Sequence, residues 1–213
     1  MDIAVLVYDG FTVLDAVGPA QVLAMLPGAR MRWVAAEAGP KRSDAGVSMT
    51  ADHALADVPR PDVILVPGAL DVRPASTDTR VLDWLRAAHA TSQWTTSVCT
   101  GALVLGAAGL LQGLEATTHW AALEQLGKCG ARPVQARMVR QGKIITAAGV
   151  SAGIDMALRL TQLIAGDRAA QIVQLGIEYD PDPPFAGSVT KAPAEIVAAA
   201  RRALTRPGAS DAR

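Results

Sequence analysis

Two side chains of this 213-residue chain combine reactive chemistry with a suggestive setting, Cys99 and Asp15. Cys99 stands in Ser97-Val98-Cys99-Thr100-Gly101, directly after a strand-like run and directly before a stretch of helical composition. Small residues flank it, as a tight strand-to-helix turn requires. The segment has the form of a nucleophile elbow with Cys in place of Ser. Such a turn holds its nucleophile in a sparsely populated backbone region, at a cost of about 1–3 kcal/mol. The helix start that follows favours an anion. A free thiol of pKa about 8.5 is only about 3% ionised at pH 7, and a helix N-terminus can bring such a thiol down to about 6. The competing reading is an inert cysteine packing the strand end. Cys129 is the contrast: it lies between Lys128 and Gly130 at a helix end, with no strand before it, and reads as incidental.

Asp15, in Leu14-Asp15-Ala16-Val17-Gly18-Pro19, follows the first strand and opens a helix. By itself it is an ordinary helix-start carboxylate. Sheet topology can bring it beside Cys99. Two such groups in contact cannot easily both be anions, so they would titrate together and share one proton. A thiolate facing a protonated carboxyl then supplies a nucleophile and a proton donor in one place.

The elements that must position these groups follow from apolar runs and breakers. Ile3–Tyr8, Met31–Ala36, Asp62–Val66 and Trp94–Val98 read as buried strands. Helices are predicted over Leu14–Leu26, from a cap at Asp78 to Ala90, over Gly101–Leu111 and over His119–Lys128. Further helices follow from a Ser151 cap to Ile164, from Asp167 to about Tyr179, and from Pro193 to about Thr205. Gly39–Ser43 reads as a loop, and Val47–Leu55 as a hairpin or edge strand. Met138–Arg140 and Lys143–Thr146 form a hairpin around Gln141-Gly142. The proline run Asp180–Pro184 cannot be helix. The tail from Arg206 is expected to fray. Strands alternating with helices give one α/β domain: a doubly wound, mostly parallel sheet with helices on both faces, of the flavodoxin-like type. Ligands in such sheets bind beyond the carboxyl ends of strands. That places Asp9–Asp15, Pro67-Gly68-Ala69 and Cys99-Thr100 around one site.

Composition narrows the alternatives. Half the residues are hydrophobic, 4% are aromatic, and 20 Lys+Arg balance 20 Asp+Glu. Zero net charge and few aromatics speak against a nucleic-acid partner. Two cysteines exclude a disulfide scaffold and a four-Cys zinc module. No Walker or Gly-x-Gly-x-x-Gly spacing supports a nucleotide. Asp2 and the absence of a basic leader argue against secretion. The longest apolar stretch, Gly101–Leu111, is about half the roughly 20 residues a membrane span needs. The expectation is a cytoplasmic protein with reduced thiols and no membrane partner.

These residues together resemble the DJ-1/PfpI superfamily, and within it the isocyanide (isonitrile) hydratase branch. The resemblance runs from the first strand to about Ser188. It is carried by 97–111, by Ala116-Thr117-Thr118-His119-Trp120, by Ala148-Gly149-Val150-Ser151-Ala152-Gly153-Ile154-Asp155 and by Glu178–Phe185. Leu14-Asp15 with Gly18-Pro19 fits the family's acidic position. Many members carry His directly after the nucleophile. Thr100 stands there instead, which argues against a peptidase. Two departures stand out: Ala69 where the hydratase pattern has glycine, and Ala147-Ala148 before the Ser151 helix, where it is glycine-rich. Displaced amide donors and a restricted segment beside the thiol are the expected effects.

The resemblance implies hydration of R–N≡C to an N-substituted formamide, with an isocyanide and water as partners and neither metal nor cofactor. Cys99 would attack the terminal carbon and Asp15 would protonate it, leaving a thioimidate. Asp15 would then activate water. Thr100 would hydrogen-bond through its hydroxyl or amide, and the Gly68 and Ala69 amides would orient water or developing charge. His119 would line the pocket without transferring protons. The family's habit also implies a homodimer, with Asp180–Ser188 as candidate interface or pocket rim. His53 and His89 show no partner, and Trp33, Trp84 and Trp94 read as core or interface. Three other classes stay open: a regulatory member, a redox sensor oxidising at Cys99, and a glyoxalase-like enzyme. Sensor halves of AraC-type regulators look similar but continue into a helix-turn-helix region, for which the 25 residues after Ser188 are expected to be too few.

Overall fold

The computed structural model describes residues 1–204; the expected fraying from Arg206 and the final residue of the last helix, Thr205, lie outside them. The apolar runs form β1 (Asp2–Leu6) and, after α1 (Val13–Leu23), β2 (Arg30–Ala35). A ribbon of β3 (Gly39–Arg42) and β4 (Ser48–Ala51) precedes the short β5 (His53–Ala54), then β6 (Val63–Val66). There follow α2 (Arg73–Ser76), α3 (Thr79–Thr91), β7 (Trp94–Val98) and α4 (Gly101–Ala107). The second half adds β8 (Glu115–Ala116), α5 (Leu123–Lys128), β9 (Arg132–Pro133), β10 (Met138–Gln141) and β11 (Ile144–Ala147). Two helical stretches close the described chain, α6 (Ala152–Gly176) and α7 (Ala194–Leu204).

The seven-stranded sheet has the order β10-β11-β7-β6-β1-β2-β5. Its strands are parallel except β10, which pairs antiparallel at one edge. Central strands covered on both faces need apolar side chains on both, and every residue of β6 and all but the first of β1 are buried. Helices α1 and α6 pack together on one face, and α2, α3 and α4 on the other. Each fully buried aliphatic side chain contributes about 1.5–3 kcal/mol. The core is therefore assembled from Ile, Leu, Val and Ala with few rings, Phe11 among its largest members.

The strand order reverses at β1, whose next strand lies on one side while β6 lies on the other. The carboxyl ends beside this switch point are stitched together. Tyr8 donates its hydroxyl hydrogen to the Pro67 carbonyl at 2.9 Å, and the Thr12 amide donates to Gly68 O at 2.8 Å. The ribbon docks on the same loop, through Gly10 N to Arg42 O at 2.7 Å and Asp44 N to Phe11 O at 2.9 Å.

Four expectations need correction. Gly39–Arg42 is a strand, not a loop. Its partner is a single strand, so Pro40 sits on an edge where its missing N–H costs nothing in the ladder. Helix α4 stops at Ala107, short of Leu111, because Gly109 turns into a positive-φ conformation (φ 79°). His119–Lys128 is a 3₁₀ turn (Trp120–Ala122) before α5, with the His119 side chain accepting the Ala121 amide as its cap. Ser151 occupies the N-cap of α6 without a capping side-chain bond. Its hydroxyl lies 3.4 Å from Arg137 Nη2 instead.

The expected break between two helices near Asp167 is present within α6, at Gly166, with φ 84° and ψ 171°. This conformation is essentially restricted to glycine. A Cβ there would meet nothing within 4 Å, so any penalty is one of backbone conformation. Gly166→Ala should therefore lower the unfolding free energy by about 1–3 kcal/mol in urea titration. An unchanged or raised midpoint would show that the break is not imposed here.

Candidate functional site

Cys99 follows β7 without an intervening residue and has φ 57°, in the left-handed region. A branched or bulky side chain avoids that region, and the surroundings must impose it. The Cys99 amide donates to Ala147 O and Ala148 O, both at 3.1 Å, and its carbonyl accepts the Thr118 hydroxyl at 2.8 Å. The backbone is thus gripped on both sides from the β11 end and the 117–119 segment. The elbow read from the sequence is present.

Asp15 lies in the first turn of α1 and is completely buried. Its Oδ2 accepts the Gly68 amide at 2.9 Å. Its Oδ1 is buried without a conventional partner, and the carboxyl faces the Cys99 thiol. The approach depends on Gly68. A Cβ there would fall 2.5 Å from both Thr100 N and Thr100 Oγ1, and 3.0 Å from Asp15 Oδ2.

Burial dominates the titration of the pair. It lifts the Asp15 carboxyl to about 7, against the Gly68 hydrogen bond; the charge of Asp44 adds to the rise, and the thiol opposes it. The Cys99 thiol is pushed well above its usual range, by burial first and by the Asp15 charge second, with the Thr100 amide and hydroxyl pulling the other way. The expected lowering by a helix N-terminus is not what the site provides. Helix α4 has seven residues, and the thiol is only 6% exposed. What remains of the expectation is its central part: two acids in contact, with one proton between them.

Thr100 bridges to the neighbouring loop. Its hydroxyl lies 2.6 Å from Ala69 O, to which it donates, and accepts the Ala69 amide at 2.8 Å. Its one hydrogen has a second acceptor in the Cys99 sulfur. The Gly68 and Ala69 amides are thus already engaged, one by Asp15 and one by Thr100, and neither is free to hold water or developing charge. Ala69 is buried and takes no positive φ, so the methyl group in place of glycine is accommodated without strain. Ala147 and Ala148 likewise keep ordinary backbone and supply the carbonyls that hold Cys99.

A cavity of about 430 Å³ opens over Cys99 and Thr100. Thr12, Asp44, His119 and Gln125 give it polar edges, while Ala69, Leu70, Ala121, Ala122, Val150 and Leu204 make most of the wall. The His119 Nδ1 accepts the Ala121 amide at 3.3 Å, so its neutral ring carries hydrogen on Nε2. Burial lowers its pKa, favouring that neutral form. The cavity therefore gathers Cys99, Thr100, Ala69 and His119, with Asp15 and Gly68 directly beneath. Thr12, Asp44 and Thr118 were not singled out from sequence. Thr118 neighbours His119 in a quoted motif, whereas Asp44 arrives on the ribbon turn and carries no local signal. Asp44 Oδ2 accepts the Thr12 hydroxyl at 2.7 Å. Cys129 is free and half-buried, and it does not line this cavity. Among the described residues no group of three His, Cys, Asp or Glu is placed to hold a metal ion, and no helix is long and apolar enough to cross a membrane.

The DJ-1/PfpI family profile matches residues 1–163. The chain belongs to the DJ-1/PfpI family. The isonitrile hydratase of Pseudomonas putida is 45% identical to the chain over 203 residues, covering 95% of this chain and 89% of that protein. A ThiJ/PfpI family protein from Pseudomonas syringae has a solved structure that superposes with a TM-score of 0.92. It is 41% identical, over 94% of this chain and 84% of that one. The HTH-type transcriptional regulator CdhR of Pseudomonas aeruginosa is 31% identical over 78% of this chain, which spans 51% of that regulator.

The raised pKa of Asp15 has a consequence for stability. Between about pH 4 and 7 the folded chain holds a proton on Asp15 that the unfolded chain has released, so stability falls as pH rises through this window. The penalty is fully present above pH 7 and is on the order of 4 kcal/mol. Asp15→Asn removes it. The variant should melt higher than the wild type at pH 8, and the gap should close near pH 4. A pH-independent difference would show that Asp15 is not buried as an acid.

Proposed function

We propose that this DJ-1/PfpI protein is a cofactor-free isocyanide hydratase that converts R–N≡C to the N-substituted formamide through a thioimidate on Cys99. The observation that carries the reading is the buried Cys99–Asp15 pair beneath an apolar-walled cavity with Thr100, not a base, after the nucleophile. The similarity to the Pseudomonas putida isonitrile hydratase supports it.

The chemistry needs one proton shuttle, and Asp15 fills the role. As the Cys99 sulfur bonds to the terminal carbon, its proton passes to the unpartnered Asp15 Oδ1 and then to that carbon, giving Cys–S–CH=N–R. Asp15, now a carboxylate, takes a proton from water as the hydroxyl adds to the carbon, and returns it to nitrogen. The C–S bond breaks, the second water hydrogen returns to the Cys99–Asp15 pair, and the formamide leaves. The Thr100 hydroxyl can turn its hydrogen from Ala69 O toward sulfur when negative charge develops there. Gly68 acts as the positioning donor for Asp15. His119 lines the cavity in its neutral form and serves to shape it, without transferring protons.

The reading extends to a cytoplasmic homodimer. Leu14 on α1, Met25 just after it, and Ile172 and Leu175 beyond the Gly166 break are exposed apolar side chains that a second copy would cover. Sedimentation at micromolar concentration should give twice the chain mass; a monomer would remove this part.

Wild type should turn over a simple alkyl or aryl isocyanide. Cys99→Ala should abolish turnover, and Asp15→Asn should reduce kcat by about 10²–10⁴-fold. The reactive pair holds one proton, and a second one silences it. kcat/KM should therefore rise with pH through about 7, where Asp15 loses that second proton. Asp44→Asn removes a negative charge that raises the Asp15 pKa and should move this limb to lower pH. No turnover in wild type, or full activity in Cys99→Ala, would refute the assignment. Peroxide oxidation confined to Cys99 without turnover would favour a redox role. Turnover of methylglyoxal in place of isocyanides would favour a glyoxalase-like one.

A further inference from the structure

The outer wall of the Cys99 cavity contains one residue from far along the chain, Leu204, carried on α7. This helix has no buried side chain of its own. Val197, Arg201 and Leu204 recur at i, i+4 and i+7 and so share one face. Val197 and Arg201 line an adjoining cavity of about 420 Å³ together with Trp120 and Leu123. The Arg201 guanidinium stands 5.0 Å from the Trp120 ring centroid, within cation–π range. The Trp120 ring in turn lies 5.4 Å from that of His119, which lines the Cys99 cavity. Helix α7 is thus docked on the rim of the site at Trp120, and its last described residue reaches the cavity.

We propose that Leu204 is a specificity-determining residue, setting the largest N-substituent that the Cys99 cavity accepts; the proposal rests on the isocyanide reading above. Attack by Cys99 fixes the terminal carbon beside sulfur and Asp15. The linear R–N≡C group then directs its substituent up and away from them. An apolar substituent avoids the Asp44 and Thr12 edge and follows Leu70, Ala121, Ala122 and Leu204. Leu204 both lines the cavity and is 39% exposed, so it stands at the cavity's edge with solvent. A side chain in that place meets the far end of a long substituent and misses a short one.

The test uses the full chain with Leu204→Trp and Leu204→Ala, and methyl, cyclohexyl and 2-naphthyl isocyanides. Leu204→Trp should lower kcat/KM for the naphthyl compound by about tenfold or more while leaving the methyl compound within about threefold. Leu204→Ala should raise KM for the cyclohexyl compound by about fivefold with kcat unchanged, as a lost contact common to ground and transition states does. Parallel changes across the series, or none, would overturn the proposal. A second readout does not need turnover: the rate of Cys99 alkylation by iodoacetamide against N-naphthylmaleimide, followed by peptide mapping to exclude Cys99-independent label on Cys129. Leu204→Trp should slow the bulky reagent selectively. A ratio equal to that of wild type would remove Leu204 from the wall. Selective slowing in a protein inert to every isocyanide would retain the wall and discard the substrate class.

Discussion

A carboxyl and a thiol buried in contact cannot both be charged, and the architecture around β1, β6 and β7 is arranged to enforce that contact. Burial raises the Asp15 carboxyl to about 7 and the Cys99 thiol further still, so around neutral pH the pair holds one proton or two but is not stripped of both. Holding two acids this way destabilises the folded state. The fold tolerates it because most of the core is conventional: Ile, Leu and Val on the parallel strands, with buried hydroxyls such as Thr96 and Thr146 hydrogen-bonded to their surroundings. Function is concentrated at one conformational and electrostatic exception within that core.

Geometry at the exception is over-determined. The left-handed backbone at Cys99 is held by two acceptors for its amide and, on its carbonyl, by the Thr118 hydroxyl. Those partners come from β11 and from the 117–119 segment, while Asp15 comes from α1 and Gly68 from the loop after β6. The Tyr8–Pro67 and Thr12–Gly68 bonds fix the loop after β1 against the loop after β6. A displacement of any one element would therefore alter the thiol's position, the carboxyl's position, or both. Glycine at 68 is required by space: the Thr100 backbone and the Asp15 carboxylate occupy the volume a side chain would need. Ala69, one residue on, is free of that constraint, which explains why a methyl group is admissible there and not at its neighbour.

Most of the fold was legible because its signals are local. Short apolar runs marked β1, β2, β6 and β7, and the turn Gln141-Gly142 marked the β10–β11 hairpin to within a residue at each end. The elbow was legible for the same reason, since a strand, a reactive residue and small neighbours are contiguous. Signals that depend on distant partners were lost. Pro40 and two basic residues made β3 look like a loop, because its identity as a strand depends on pairing with Ser48–Ala51. The apolar residues Leu110 and Leu111 lengthened α4 on paper, yet Gly109 had already turned the chain. The electrostatics were misjudged in sign for Cys99: a helix start can be read from sequence, but depth of burial and the commitment of nearby amides cannot. Asp44 belongs to the same class, since β3, one of the two strands of the ribbon that delivers it, was read as a loop.

The residue after the nucleophile constrains which chemistry this arrangement suits. Peptide hydrolysis asks for a base to activate the nucleophile and an acid to protonate a departing amine, and a lone carboxyl paired to a buried thiol serves that poorly. Peroxide sensing asks for an accessible, readily ionised thiol, whereas Cys99 is 6% exposed and held toward its neutral form by burial and Asp15. Addition of water across a terminal carbon asks for less. The proton consumed in forming the C–H bond is regenerated when water adds, so one group can serve alternately as acid and base. A single shared proton, a hydroxyl at Thr100 that can follow the charge on sulfur, and an apolar cavity above them satisfy that requirement without a second base. The constraint that destabilises the buried pair is thus the same one that keeps its proton available to the substrate carbon.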